Sequence, residues 1–287
     1  MTSPTENNTN AKALSKPERS IAWYDAFAVF FLFILSQIIG SIATIFVAGP
    51  DIYVYDDGTA EGLSYIAKLL AMSYCFSMML TIGLVLIYSA LRKIGFGVKF
   101  FAKGWASPYK ILVGYLLIWF ASIAVEPLTM LLPAQTQELG SGIWLLICTV
   151  LFAPFFEEII FRGYIAGALK KRFGLISAWL LSSLIFAVVH GGYSATITAM
   201  VAGLILGFYY LRYGSLVQVI MLHAMNNLTV CFMKSIGVAE MSIQELVDNN
   251  TIYWTIYAVS TTLFVVALIV MFKSLRNLKK SNSGDNM

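Results

Sequence analysis

Leu151-Phe-Ala-Pro-Phe-Phe-Glu157-Glu158-Ile-Ile-Phe-Arg162-Gly-Tyr164 sets two adjacent carboxylates and a guanidinium in a run that is otherwise almost wholly apolar. An Arg or Asp at the centre of a membrane helix costs about 2.5–3.5 kcal/mol on insertion scales, so three ionisable groups together need a reason. The chain's two histidines, His190 and His223, also fall inside apolar runs. Carboxylates, imidazoles and a guanidinium carried by separate membrane helices make a candidate active site. The plain alternative is a structural ion-pair network, which also buries charge.

Composition says that these runs are membrane spans. Of the 287 residues, 59% are hydrophobic and only 12% charged, where a soluble domain carries about 25% charge. The net charge of +4 does not point to nucleic acid, because the basic residues flank apolar runs instead of lining one face. Cys75, Cys148 and Cys231 lie in apolar segments without CxxC spacing and read as small core residues. The first 20 residues are polar and lack the short apolar core of a cleaved leader, so the first apolar run is expected to stay as an anchor.

A helix needs about 20 apolar residues to cross the hydrocarbon. Eight runs qualify: 22–49, 63–91, 108–132, 143–168, 175–191, 194–211, 215–236 and 252–273. Charge tests this map independently. Lys12, Lys16 and Arg19 precede the first run, and Arg92, Lys93, Lys99, Lys103 and Lys110 follow the second. Lys170, Lys171 and Arg172 follow the fourth, Arg212 the sixth, and Lys273, Arg276, Lys279 and Lys280 the last. The intervening loops hold Asp51, Asp56, Asp57, Glu61, Glu138, Glu240, Glu245 and Asp248, with no Lys or Arg. Lys68 and Lys234 are two strays near outer helix ends, where a long side chain can reach the interface. Under the positive-inside rule, the expected fold is an all-α, polytopic membrane helix bundle of about eight spans with both termini cytoplasmic.

Spacing then sorts the polar residues. Glu158 and Arg162 stand at i,i+4 and can pair along one helix, which leaves Glu157, about 100° away, to face a cavity as a candidate base. On the simpler reading Arg162 marks a helix end and Glu158 neutralises it, which explains one glutamate and not two. Phe186 lies one turn before His190 and can fix its ring, although a lone histidine on an apolar helix is more often a satisfied core residue. His223 and Asn227 are again i,i+4 neighbours, a spacing that also serves to hold membrane helices together at about 0.6 kcal/mol per polar contact. Counted from the basic ends, His223 is about 8 residues in and His190 about 15, roughly 12 and 22 Å along straight helices. For these two to meet, a helix must tilt, bend or start elsewhere.

Taken in order, Glu157-Glu158-x-x-x-Arg162, Phe186-x-x-x-His190 and His223-x-x-x-Asn227 resemble the CAAX protease and bacteriocin-processing (CPBP, or Abi) intramembrane endopeptidases. The glycine-containing stretch Gly203 to Ser215 is similar to the segment before that family's last motif, and the resemblance covers about residues 143–236. It implies a peptidase core over 137–237 (helices four to seven). Around it lie a polar tail over 1–20, three membrane helices over 21–136, a loop and last helix over 238–274, and a basic, polar tail over 275–287. It further implies hydrolysis of a peptide bond in a membrane-associated peptide or protein, with the lipid bilayer as surroundings and a bacterial plasma membrane as location. In this reading Glu157, with His190, activates water, Glu158 is its neighbour, and His223 and Asn227 stabilise the oxyanion. Arg162 and Phe186 support them. No cofactor is favoured. A Zn²⁺ version would use His190, His223 and Glu157 as ligands, without an HExxH motif. Outside enzymes, the same charges suit an ion- or proton-coupled transporter, with Glu126-Pro127 as a further element, or a non-catalytic membrane scaffold or immunity protein.

Overall fold

Apolar residues run almost unbroken through the predicted spans, and backbone amides in hydrocarbon have no partner except one another, so helix is the expected outcome. The computed structural model describes residues 19–49, 59–133, 141–239 and 241–284, with side chains as far as 279. Asp51, Asp56, Asp57, Glu138, Glu240 and the polar tail before residue 19 lie outside the described residues.

The described residues form helices α1 (Trp23–Ala48), α2 (Ala60–Arg92), α3 (Pro108–Met130), α4 (Ile143–Val188), α5 (Tyr193–Tyr213) and α6 (Leu216–Ser235), then a short α7 (Ile243–Val247) and the last helix α8 (Asn250–Gly284). All but α7 are long and apolar enough to cross a bilayer, seven in all where the sequence predicts eight. The difference lies in α4, which takes up both the 143–168 and the 175–191 predictions. Gly174 interrupts it with φ +82° and ψ 178°, a conformation essentially restricted to glycine. Along a straight helix Arg162 and Phe186 would stand about 36 Å apart, yet the Arg162 guanidinium is 4.1 Å from the Phe186 ring centre. The two arms of α4 therefore fold back on each other at Gly174.

The basic segments gather at one end of the bundle. Arg19 donates its backbone N–H to Lys93 O at 2.8 Å, Lys171 donates to Gly95 O, and Arg212 Nε donates to Ser274 Oγ at 3.1 Å. Asp25, fully buried at the start of α1, accepts from Tyr88 at 2.5 Å and pairs with Arg92 at 3.2 Å, which locks α1 to the end of α2. Beneath α6 the same end is closed by the segment before α3. Leu216 and Val217 donate to Lys99 O and Phe100 O at 3.1 and 3.0 Å, and Ser215, Leu216 and Gln218 are buried. Helix α6 thus starts inside the protein, which brings His223 up to the level of His190. The span predicted to reach 191 ends at Val188, so His190 sits in the turn just beyond the helix.

Side chains of α4 from Glu158 to Ala166 are all buried, as are those of α5 from Gly203 to Leu211. These two stretches form the centre. Large apolar groups such as Phe31 and Phe46 on α1 and Val265 and Ile269 on α8 point outward. That arrangement suits lipid, where water would penalise so wide an apolar surface.

Candidate active site

The helix that carries the glutamates is wound loosely before them and again from Glu158 onward. Residues Ile147–Phe152 and Glu158–Ala166 follow π-helical turns, and the Ala153 N–H bonds to Cys148 O, five residues back. Pro154, which has no N–H and whose ring crowds the preceding turn, stands directly after the first wide stretch. Wide turns of this kind recur at functional sites because they re-aim the side chains they carry.

Glu158 faces inward and is completely buried. Its Oε1 lies 2.9 Å from His223 Nδ1, and its Oε2 forms an ion pair with Arg162 Nε at 3.1 Å. Arg162, 1% exposed, also donates to Gly203 O at 3.4 Å and covers the face of Phe186. The Phe186 ring lies 4.4 Å from the His190 ring and 5.9 Å from the His223 ring, centre to centre. One aromatic ring therefore fixes the guanidinium and both imidazoles, and its burial (1% exposed) is what lets the desolvated cation–π contact count.

Glu157 points the other way, between Tyr74 and the two histidines. Tyr74, midway along α2, donates its hydroxyl to Glu157 Oε1 at 2.8 Å. The other oxygen, Oε2, is buried without a hydrogen-bond partner and lies 3.9 Å from His190 Nε2 and 4.0 Å from His223 Nε2. Hydrogen bonds settle the imidazole tautomers. His190 Nδ1 is 2.7 Å from Phe186 O, and a carbonyl only accepts, so Nδ1 carries a proton. His223 Nδ1 likewise donates to the Glu158 carboxylate. In the neutral rings both Nε2 atoms are left as acceptors turned toward Glu157 Oε2.

Asn227 lines a cavity that His190 and His223 also line, but its Nδ2 donates to Thr149 O at 2.8 Å, which leaves one N–H free. Asn226 Nδ2 braces it through Asn227 Oδ1 at 3.4 Å. The structure thus brings Glu157, Glu158, Arg162, Phe186, His190 and His223 into one cluster and sets Asn227 at the cavity wall beside it. Tyr74 and the Thr149 carbonyl were not singled out in the sequence. A tyrosine in mid-span must find a partner for its hydroxyl, and that is the signal by which Tyr74 could have been found. Among the described residues no group of three His, Cys, Asp or Glu is spaced to hold a metal ion.

Comparison with known proteins bears on the same segment. Residues 139–229 match the model of the Rce1-like type II CAAX prenyl endopeptidases. YdiL of Bacillus subtilis (strain 168), named provisionally as a membrane peptidase, is 33% identical over 90 residues, 31% of this chain and 37% of that protein. The UPF0177 protein YxdF of Lactococcus lactis subsp. lactis (strain IL1403) is 26% identical over 165 residues, 52% of this chain and 90% of that protein. The chain thus spans little more than a third of YdiL and most of YxdF. No solved structure matches. Long apolar helices together with these relatives describe a multi-pass bacterial membrane protein in which residues 139–229 form a CAAX-protease-like domain.

Proposed function

We propose that the chain is an intramembrane endopeptidase that cuts a peptide bond in a membrane-associated substrate with a water activated by Glu157. The observation that carries this reading is Glu157 Oε2, buried, unpartnered and flanked by two imidazole Nε2 atoms at 3.9 and 4.0 Å. Those gaps are too long for direct hydrogen bonds. They suit a water bridging at about 2.8 Å to each side.

Hydrolysis then runs as follows. Glu157 takes a proton as the water oxygen bonds to the carbonyl carbon, with His190 Nε2 accepting from the water's second O–H. The oxyanion is met by the remaining Asn227 N–H and by His223 carrying a proton on Nε2, its ring held through Nδ1–H by the Glu158 carboxylate. Arg162 offsets the Glu158 charge when His223 is neutral. Collapse of the tetrahedral intermediate breaks the C–N bond, and the protonated Glu157 passes its proton to the leaving amine. Tyr74 holds the other carboxylate oxygen throughout. Because Tyr74 comes from α2, the working unit extends beyond the 137–237 core into the N-terminal helices.

His190, His223 and Glu157 are also the donors that a zinc ion would use. Tetrahedral coordination at about 2.0–2.1 Å sets ligand atoms about 3.3 Å apart, closer than the spacing here, so the bridging-water reading is preferred. The test is purified full-length protein with a membrane-peptide substrate pool. Glu157→Gln is expected to lower cleavage by at least about 10²-fold. Folded Glu157→Gln protein that cleaves at the wild-type rate would sink the proposal, and stoichiometric zinc that tracks activity would replace its metal-free form.

A further inference from the structure

The cavity that reaches His190 and His223 extends well beyond them, to about 760 Å³, and a carboxylate lines it far from the histidines. Along α3 it is lined by Ile118, Ser122 and Glu126 at four-residue spacing, and along α6 by His223, Asn227 and Val230. Gly114 of α3 abuts Leu222 of α6 so closely that a Cβ there would lie 3.0 Å from the leucine methyls. This contact aligns the two helices. Counting on from it, Glu126 lies about 17 Å beyond the level of His223.

Glu126 is held and at the same time unsatisfied. Its Oε1 accepts the Ile243 N–H from the start of α7 at 2.6 Å, which fixes the carboxylate, while Oε2 is buried without a partner. No Lys or Arg is among the described residues lining the cavity. An uncompensated carboxylate in a largely apolar pocket is costly, and a cation removes that cost. Trp119 Nε1, in the same cavity, is a second buried group without a partner and is a donor. Among the described residues this end carries Glu61, Glu245 and Asp248 besides Glu126, against Lys68 and Lys234, a net negative field that draws cationic peptides toward it.

We propose that Glu126 selects the substrate: its free oxygen pairs with the cationic side chain of a Lys or Arg in an otherwise apolar peptide. Trp119 donates to a peptide carbonyl on the way to the bond at Glu157. The proposal rests on the peptidase reading and names the substrate class for it. An extended chain advances about 3.3 Å per residue, so the basic residue stands about three to five positions from the bond that is cut, the lower figure applying where the long side chain lies along the cavity.

The experiment uses full-length protein in nanodiscs and fluorescein-labelled apolar decapeptides, each with a single Lys at a different position or norleucine in its place. On Glu157→Gln protein, which holds peptide uncut, one Lys register is expected to bind about tenfold or more tighter than norleucine. The added substitution Glu126→Gln, which keeps an acceptor for Ile243, is expected to abolish that preference. Equal affinity for Lys and norleucine peptides, or a preference that survives Glu126→Gln, overturns the proposal. If Glu126→Gln does not fold, competition on the protein with native Glu126 replaces it. Hexylammonium is expected to displace the Lys peptide far better than hexanol, and equal displacement overturns the proposal. Lys-dependent binding that Glu126→Gln abolishes, with no cleavage by wild-type protein, supports recognition by Glu126 and refutes hydrolysis instead.

Discussion

Tyr74 and Glu157, 83 residues apart in sequence, meet through a 2.8 Å hydrogen bond that fixes which carboxylate oxygen faces the two histidines. With Oε1 held by the hydroxyl, Oε2 is the atom turned toward both Nε2 groups. Tyr74→Phe removes this restraint and leaves the ring in place. Turnover is expected to fall about tenfold with little change in KM, while thermal stability drops by about 1 kcal/mol. Unchanged turnover in the folded variant would show that Glu157 needs no such restraint.

Phe186 separates two kinds of contribution. Its ring carries the Arg162 guanidinium on its face and stands against both imidazoles. Phe186→Leu keeps an apolar side chain but loses the ring face, with an expected cost of about 2–3 kcal/mol in stability. Cleavage should fall further than the loss of folded protein accounts for, because His190 loses the ring that orients it. Activity per folded molecule, with folding followed by thermal unfolding in detergent, separates the two effects.

Gly174 is the test of the fold-back in α4. At φ +82° and ψ 178°, any residue with a Cβ is strained. Gly174→Ala is expected to cost about 1–3 kcal/mol and to open the neighbouring basic segment, Lys170 to Arg172, to trypsin. Wild-type resistance to trypsin together with an unchanged melting temperature would contradict the geometry described.

The pH dependence of α7 has a definite sign. Glu245 closes a capping box with Ser242, accepting from its backbone N–H at 2.7 Å and from its hydroxyl at 2.9 Å. These bonds, the backbone one first, hold the Glu245 carboxyl below its ordinary value. A depressed folded-state pKa means that the contribution is fully present above the unfolded value, about 4.3, and is lost as pH falls through the folded one. Amide exchange in Ile243–Val247 should therefore lose protection as pH falls below about 4.3, and Glu245→Gln should remove that dependence. Protection that strengthens with acid would reverse the assignment.

What the sequence made legible follows from where each signal resides. The helix runs could be read because hydrocarbon leaves the backbone no other structure, and Glu158–Arg162 because i,i+4 neighbours meet on any helical turn. The reversal at Gly174 was visible as a gap between the fourth and fifth apolar runs that holds the basic residues Lys170, Lys171 and Arg172. Its glycine conformation belongs to a single residue's dihedral angles, which no periodicity reports. Tyr74 was one tyrosine among 15, and its role depends on α2 lying beside α4, a tertiary fact. The mismatch in depth between His190 and His223 could be calculated from spacing. Its resolution, a segment tucked beneath α6, could not, because that depends on Lys99 and Phe100 meeting Leu216 and Val217 far along the chain.

The Glu158–Arg162 pair also bears on biogenesis. His223, which shares Glu158, is 65 residues downstream and is not yet synthesised when this segment reaches the translocation machinery. Because Arg162 stands one turn away on the same helix, the two opposite charges can enter the lipid as a neutral couple and wait there for the imidazole. In a glycosylation-reporter insertion assay, Glu158→Gln should therefore make the isolated segment harder to integrate, although it removes a charge. It would leave Arg162 without its partner one turn away, and a guanidinium in a central position costs about 2.5–3.5 kcal/mol. Easier integration of the Gln segment would show that the couple forms only after the helices have assembled.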